Sequence, residues 1–468
     1  MMLLLKAIIG LLIPTATGYG LMVNLSSRER SPFSLDLALS FGLGMGLLGQ
    51  WMLLLAIFGV KFSLYSILLP LLLFAAMMLW TGRKRLEGRY QFHARAVIDG
   101  IKGLFMKGPL ACRLVFGVCA LYLAYTLFYI FWRAWSVPIN TYDAVNVIAL
   151  KAKAFYYWGE LGNLGNFYHP PYPLQVPFME TWMAFASGGW TEPAIKLIFP
   201  VCFVSFLVVF TESVRSLTNR FWAAIAILML CSSHFLLYHA TISYRDLFMM
   251  YYNFTSIYFL IRWYRSEDPR TLLLASLFGG FGIFTKLEGL SYFALHALLL
   301  ATMLKIKTSS GYGPRPIKAL AAFLVPAALI GGLFYFFKAY AGLAPEKTAV
   351  YLTQESFSRL WPTAKAFFQH LFILGNWNII WFILPAIALM YPTRVSGRKE
   401  PAFLIIIIFS YLVFYVVYGA FSESFVWIGG ESNITTTGRL VLHFYPLAIR
   451  AIALILSSEY VVPRTNGS

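Results

Sequence analysis

Residues 113–132 read RLVFGVCALYLAYTLFYIFW, an apolar run with a single charge at its start. Crossing the hydrocarbon core takes about 20 such residues. In lipid the backbone polar groups must pair within the segment, so the run is a helix. The sequence then changes character. From Trp135 to Trp190 it is polar and aromatic. It carries an acid in Asn140-Thr141-Tyr142-Asp143, a basic stretch at Lys151-Ala152-Lys153, and a proline knot at Tyr168-His169-Pro170-Pro171-Tyr172-Pro173.

Outward from this stretch, apolar runs recur at 3–23, 35–58, 62–81, 193–213, 221–239, 248–264, 271–286, 289–304, 317–338, 370–390, 402–421 and 439–458. Together with 113–132 they give about thirteen expected spans. The expected fold class is therefore an all-α polytopic membrane protein with interfacial helices in one large loop. The runs are continuous rather than alternating, which argues against a transmembrane barrel. The chain is 59% hydrophobic and only 12% charged, where soluble proteins carry about 25% charged residues. The formal net charge of +18 falls in short loops, which points to topology and anionic headgroups rather than nucleic acid. The cysteines Cys112, Cys119, Cys202 and Cys231 lie in or beside apolar runs without metal-like spacing. The first run lacks a clear cleavage site and is expected to be retained.

Basic residues set the expected sidedness. If loop 82–112, with Arg83, Lys84, Arg85, Arg89, Arg95, Lys102 and Lys107, is cytoplasmic, alternation puts Arg28/Arg30, Arg215/Arg220, Arg262/Arg265/Arg270, Lys305/Lys307/Arg315/Lys318, Arg394/Arg398/Lys399 and Arg464 on the same side. The segment 133–192 and the loops 339–369 and 422–438 then lie outside.

On a helical wheel, residues 143–160 put Ala144, Val145, Ile148, Ala152, Phe155 and Tyr156 on one side and Asp143, Asn146, Lys151, Lys153 and Glu160 on the other. That pattern suits a helix lying on the membrane surface, with Lys151 and Lys153 toward headgroups. Glycines 159, 162 and 165 should break it. His169-Pro170-Pro171 should be extended, because a residue before proline avoids the helical region. A second interfacial helix is expected over about 174–187, with Glu180 on a solvated face.

A reaction on a lipid phosphate needs a base, cations for the departing phosphate, and a groove shielded from water. Asp143 can act as the base. Arg245, Lys286 and Arg439, at expected outer span ends, can bind phosphate. Asp246 and Glu288 sit beside them, and ionisable residues at such depth are costly enough to suggest function. Plain ion pairs, Arg245 with Asp246 and Lys286 with Glu288, are the simpler alternative.

These residues resemble the GT-C superfamily of polyprenyl-phosphate-sugar-dependent glycosyltransferases, in particular its protein-mannosyltransferase and lipid A aminoarabinose-transferase branch. Asp143 matches that family's catalytic acid in the first large extracytoplasmic loop. His169-Pro170-Pro171-Tyr172-Pro173 matches its His/Lys-Pro-Pro motif, and Asp246 its second acid. Thr285-Lys286-Leu287-Glu288-Gly289 matches a Thr-Lys-x-x-Gly element, and Arg439 with Pro446 a late Arg and Pro. The likeness covers roughly residues 113–304 and extends loosely to the last spans.

The resemblance implies an inverting transfer of sugar from a polyprenyl-phosphate donor to a lipid, glycan or protein acceptor of the cell envelope. It implies an integral protein of the bacterial inner (plasma) membrane with an extracytoplasmic site. Asp143 would be catalytic. His169, Tyr172, Lys151, Arg245, Asp246, Lys286, Glu288 and Arg439 would bind substrate. No cofactor is called for, and the question of a divalent metal stays open. The expected division is an accessory three-span region with its basic loop (1–112), a GT-C-like membrane module (113–304) and C-terminal spans (305–468). The family usually has one span before the acid, whereas three more precede it here. The rival readings are a lipid or glycan flippase and a polysaccharide polymerase or ligase.

Overall fold

Apolar composition with internally paired backbone gives helices almost throughout. The computed structural model describes residues 1–25, 31–86, 109–309, 316–343, 350–430 and 435–458. Most of the basic loop 82–112 lies outside the described residues, as do Arg28, Arg30, Arg315, Asn433 and Arg464. The helices are α1 (Met2–Leu25), α2 (Phe33–Ile57), α3 (Leu64–Leu86), α4 (Leu110–Ser136), α5 (Leu150–Trp158), α6 (Gln175–Ser187) and α7 (Glu192–Arg215). They continue with α8 (Arg220–Cys231), α9 (Asp246–Ser266), α10 (Pro269–Thr285), α11 (Glu288–Ser309), α12 (Pro316–Tyr340), α13 (Leu360–Phe372), α14 (Ile380–Met390), α15 (Lys399–Phe421), α16 (Thr436–Leu442) and α17 (Tyr445–Leu456). Among the described residues no strand forms, and only Val350 and Ser422 make an isolated bridge.

Among the described residues, eight helices are long and apolar enough to cross a membrane, and α16 with α17 make a ninth if that pair, bent by 44°, is one span. The chain is an all-helical, polytopic integral membrane protein. The remaining expected spans fall on helices that are shorter or more polar: α8, α9, α10 and α14. Of the eight candidate spans, α3 and α4 are the least covered by the rest of the bundle, with only 17% of each apolar window buried.

Two prolines show how the bundle repairs its own helices. Pro14 inside α1 cannot bond the carbonyl of Gly10, and Trp182 of α6 donates its indole N–H to that oxygen at 2.7 Å. Pro70 inside α3 likewise frees Ser66, whose carbonyl accepts from the Trp51 indole at 3.0 Å. Without such partners a freed carbonyl in lipid is costly. Close backbone approach does the rest: a Cβ on Gly44 would sit 1.8 Å from the Pro14 carbonyl, and one on Gly18 2.0 Å from that of Ser40. Small residues let α1 and α2 pack this tightly.

Helices α1 and α2 are not an appendage. Gln175 donates to the Met45 carbonyl at 2.6 Å, Tyr251 to Ala38 at 2.8 Å and Tyr252 to Gly42 at 3.0 Å. These bonds tie α2 to α6 and α9. They also correct the expectation for α6. Its residues from Gln175 to Ala184 are all buried, so it is a core helix rather than an interfacial one.

Candidate active site

One end of the bundle gathers charge. Helix α4 stops at Ser136 ahead of Pro138, and two bonds pin its exit. Lys196 donates to the Val137 carbonyl at 2.6 Å, and the Ile139 N–H donates to Glu192 at 2.8 Å. Asp143 then opens a π-helical turn over Ala144–Ala149, in which the Leu150 N–H reaches back to the Val145 carbonyl. An i→i+5 bond inserts an extra residue, and such turns recur at functional sites.

The insertion rotates everything after it and corrects the wheel. Val145 is exposed, while Lys151 is buried at 1% exposure. The Lys151 ammonium points inward and donates to the His169 carbonyl at 2.7 Å rather than toward headgroups. Helix α5 ends at Gly159, whose φ of 68° suits glycine.

His169 is also corrected. It is not extended but left-handed, with φ 50°. Its carbonyl accepts from the Tyr172 N–H at 3.2 Å as well as from Lys151. The knot is therefore a closed turn held by a buried ammonium, and that offsets the backbone cost. The turn stacks the His169 ring on Tyr172 with centroids 4.4 Å apart. On Tyr172 lies the Arg245 guanidinium, 4.4 Å from the ring centroid.

Arg245 is 6% exposed and stands in no ion pair among the described residues, not even with adjacent Asp246. Burial pushes its pKa below the usual guanidinium value, and Tyr172, Asp246 and Glu288 oppose that shift. A buried guanidinium with carboxylates near it but none bonded to it keeps its fork open to a further anion.

The other two expected phosphate cations are already engaged. Lys286 donates to Asp246 at 2.9 Å and meets Glu288 at 3.1 Å. Arg439 is bonded to Asp143 through Nη1 and Oδ2, and its Cζ lies 5.2 Å from the Tyr244 ring centroid. The side chain of Asp143 is 32% exposed, that of Glu288 24% and that of Asp246 only 3%, so Asp143 is the most open acid of the cluster. The expected site residues thus come together from α9, α11, α16 and the segment after α4. Lys151 stands behind the turn rather than in the open site.

Other members had not been foreseen. His443 donates from Nε2 to Asp246 at 3.0 Å, and its Nδ1 meets Tyr292 at 2.9 Å. The spacing Arg439/His443 and Glu288/Tyr292, four residues each, was the available signal, since i and i+4 share a helix face. Glu180 is a correction: it is fully buried, not solvated, and the Ser243 hydroxyl donates to it. Burial pushes its carboxyl up to about 8, against the lowering by Ser243. Ser243 lies in the linker that carries Arg245, so Glu180 holds that linker from below.

Asn253, within a glycosylation sequon, is buried and donates to the His443 carbonyl at 2.9 Å. It belongs to the core and is not an acceptor in this fold. Among the described residues no His, Cys, Asp and Glu side chains are grouped as metal ligands.

Chemically, the arrangement offers a reachable carboxylate with one oxygen unengaged, near a buried guanidinium that stands in no ion pair among the described residues. No family model, curated protein or solved structure matches this chain.

Proposed function

We propose that the protein is an inverting glycosyltransferase that moves a sugar from a polyprenyl-phosphate donor to a cell-envelope acceptor. It would cross the membrane about thirteen times, with the site on the extracytoplasmic side and GT-C-like architecture. The single observation that carries the reading is Arg245, buried over the Tyr172 ring and in no ion pair among the described residues. A phosphate monoester or diester suits such a planar fork.

In this scheme the acceptor hydroxyl oxygen attacks the anomeric carbon, and the bond from that carbon to the phosphate oxygen breaks. The hydroxyl proton passes to Asp143, and polyprenyl phosphate leaves toward Arg245. Lys286 and Arg439 add positive potential while remaining bound to their acids. Fixed charges near developing charge are among the larger catalytic terms. The sidedness draws on helix polarity, since Arg215, Arg265 and Lys307 lie at the ends of helices α7, α9 and α11, whose first residues are Glu192, Asp246 and Glu288.

The test is transfer from polyprenyl-phosphate-linked mannose or aminoarabinose to an envelope extract by the purified protein. Loss of product in D143N and in R245A supports the reading, and full transfer by D143N would remove Asp143 as the base. A flippase reading draws on the buried polar contacts of His296 with Asn253 and Tyr411, at 3.0 and 2.7 Å, midway along the helices. Lipid movement without a covalent product would favour it. A polymerase or ligase would instead release a pyrophosphate-linked carrier.

A further inference from the structure

Helix α16 ends and α17 begins at a 44° bend, and the break falls at His443. Breaks inside a membrane bundle persist where other groups satisfy the freed backbone. Here the His443 carbonyl, released by the bend, accepts from Asn253 at 2.9 Å, while the Leu447 N–H turns to the Phe444 carbonyl at 3.0 Å. The bend aims the imidazole at Asp246.

The partners of this ring fix its proton. Asp246 Oδ1 already accepts from Lys286 at 2.9 Å and lies 3.0 Å from His443 Nε2. A carboxylate oxygen bonded to an ammonium only accepts, so Nε2 carries the proton. In the neutral ring Nδ1 is then an acceptor, and the Tyr292 hydroxyl 2.9 Å away donates to it. The Tyr292 oxygen is in turn hydrogen-bonded to the Tyr415 hydroxyl, which must donate, since Tyr292 has spent its only proton. All the donors point toward Asp246. All four side chains are buried, and in so dry a place a misdirected proton leaves an unsatisfied polar group.

Asp246 cannot easily turn away from two donors on one oxygen. Lys286 in turn is held between Asp246 and Glu288.

We propose that His443 is a positioning residue: a neutral Nε2–H imidazole, locked by Tyr292 and Tyr415, that orients Asp246 and thereby Lys286 at the phosphate end of the site. The inference rests on the glycosyl-transfer reading for its kinetic consequence, though not for its tautomer.

The experiment uses the full chain in detergent with 15N-labelled histidine. In the wild type the His443 resonances, identified by their loss in H443Q, show an unprotonated Nδ1 and a protonated Nε2 at neutral pH. In Y292F the lock is gone, and the Nδ1–H tautomer appears. Transfer from the lipid-linked donor gives the second readout. H443A lowers kcat/KM about 10- to 100-fold, the order expected for losing a hydrogen bond to a charged group. The loss falls mainly in KM for the donor. H443Q, whose amide can still donate to Asp246, recovers to within about threefold of the wild type.

An Nδ1–H or doubly protonated His443 in the wild type overturns the proposal. So does an H443A enzyme equal to H443Q. If the wild type transfers no sugar, the glycosyl-transfer reading fails, and the tautomers of the wild type and Y292F alone decide the role of His443.

Discussion

Arg439 donates from Nη1 to Oδ2 of Asp143 across 296 residues of sequence. The bond neutralises the acid without occupying it, because Oδ1 is left to meet a hydroxyl. Asp143→Asn keeps the shape and removes the base. Transfer should fall by about 10²- to 10⁴-fold, the usual worth of a positioned base, and the melting temperature should drop, because Arg439 loses its counter-charge. Arg439→Lys trades a fork for a point charge and should lose activity less steeply. Both are read by product formation from a lipid-linked sugar.

The stack of Arg245 on Tyr172 separates shape from chemistry. Tyr172→Phe keeps a ring beneath the guanidinium and should leave donor KM within about twofold. Tyr172→Ala removes a contact worth about 0.5–2 kcal/mol, so donor KM should rise about 2- to 30-fold. Inhibition by free polyprenyl phosphate should weaken in parallel. Equal KM values in both variants would show that the stack does not hold the cation for a ligand.

Glu180 gives the fold a pH dependence. Its carboxyl titrates near 8 in the folded protein, against an ordinary value of 4.5. Below about 4.5 both states hold the proton. Between 4.5 and 8 only the folded state holds it, so the stability the proton confers declines as pH rises, by at most about 1.4 kcal/mol per pH unit. Above 8 both have lost it and the penalty is constant. Glu180→Gln should therefore be stabilising relative to the wild type, with a margin that grows from pH 5 to pH 8 and then levels off. Thermal unfolding across that range, followed by tryptophan fluorescence, checks the sign.

Trp182 and Gly44 test the N-terminal packing. Trp182→Phe leaves the Gly10 carbonyl, freed by Pro14, without its donor, and should cost about 1–3 kcal/mol. Gly44→Ala drives a methyl group against the Pro14 carbonyl, a backbone atom that cannot swing aside. It should cost at least as much, about 1–3 kcal/mol or more. Melting temperatures in one detergent rank the two. If α1 and α2 were only an accessory bundle, neither change would affect transfer activity, whereas the observed ties to α6 and α9 predict that both do.

Much of the fold was legible in the residues. Most apolar runs fall on single helices, while 221–239, 370–390 and 439–458 are each broken into two, and Gly159 ends α5 as its type suggests. The acids and bases at span ends, from Asp143 to Arg439, gather in space. The errors share a cause. The wheel for 143–160 assumes 3.6 residues per turn, and the π turn at Ala144–Ala149 breaks that period. The extended knot assumes only local sterics, yet Lys151 and Tyr172 hold His169 in a rarer conformation.

The sequence by itself determined that this chain is a membrane-embedded helical bundle, because hydrophobic length and backbone satisfaction in lipid are properties of each segment alone. The tertiary structure decided which charges face which. It gave Arg439 to Asp143, Lys286 and His443 to Asp246, and left Arg245 with a tyrosine. Pairing depends on distance between segments far apart in the chain, and burial depends on what neighbours cover. Local pattern encodes neither, so only the folded bundle separates the charge open to a ligand from those already answered.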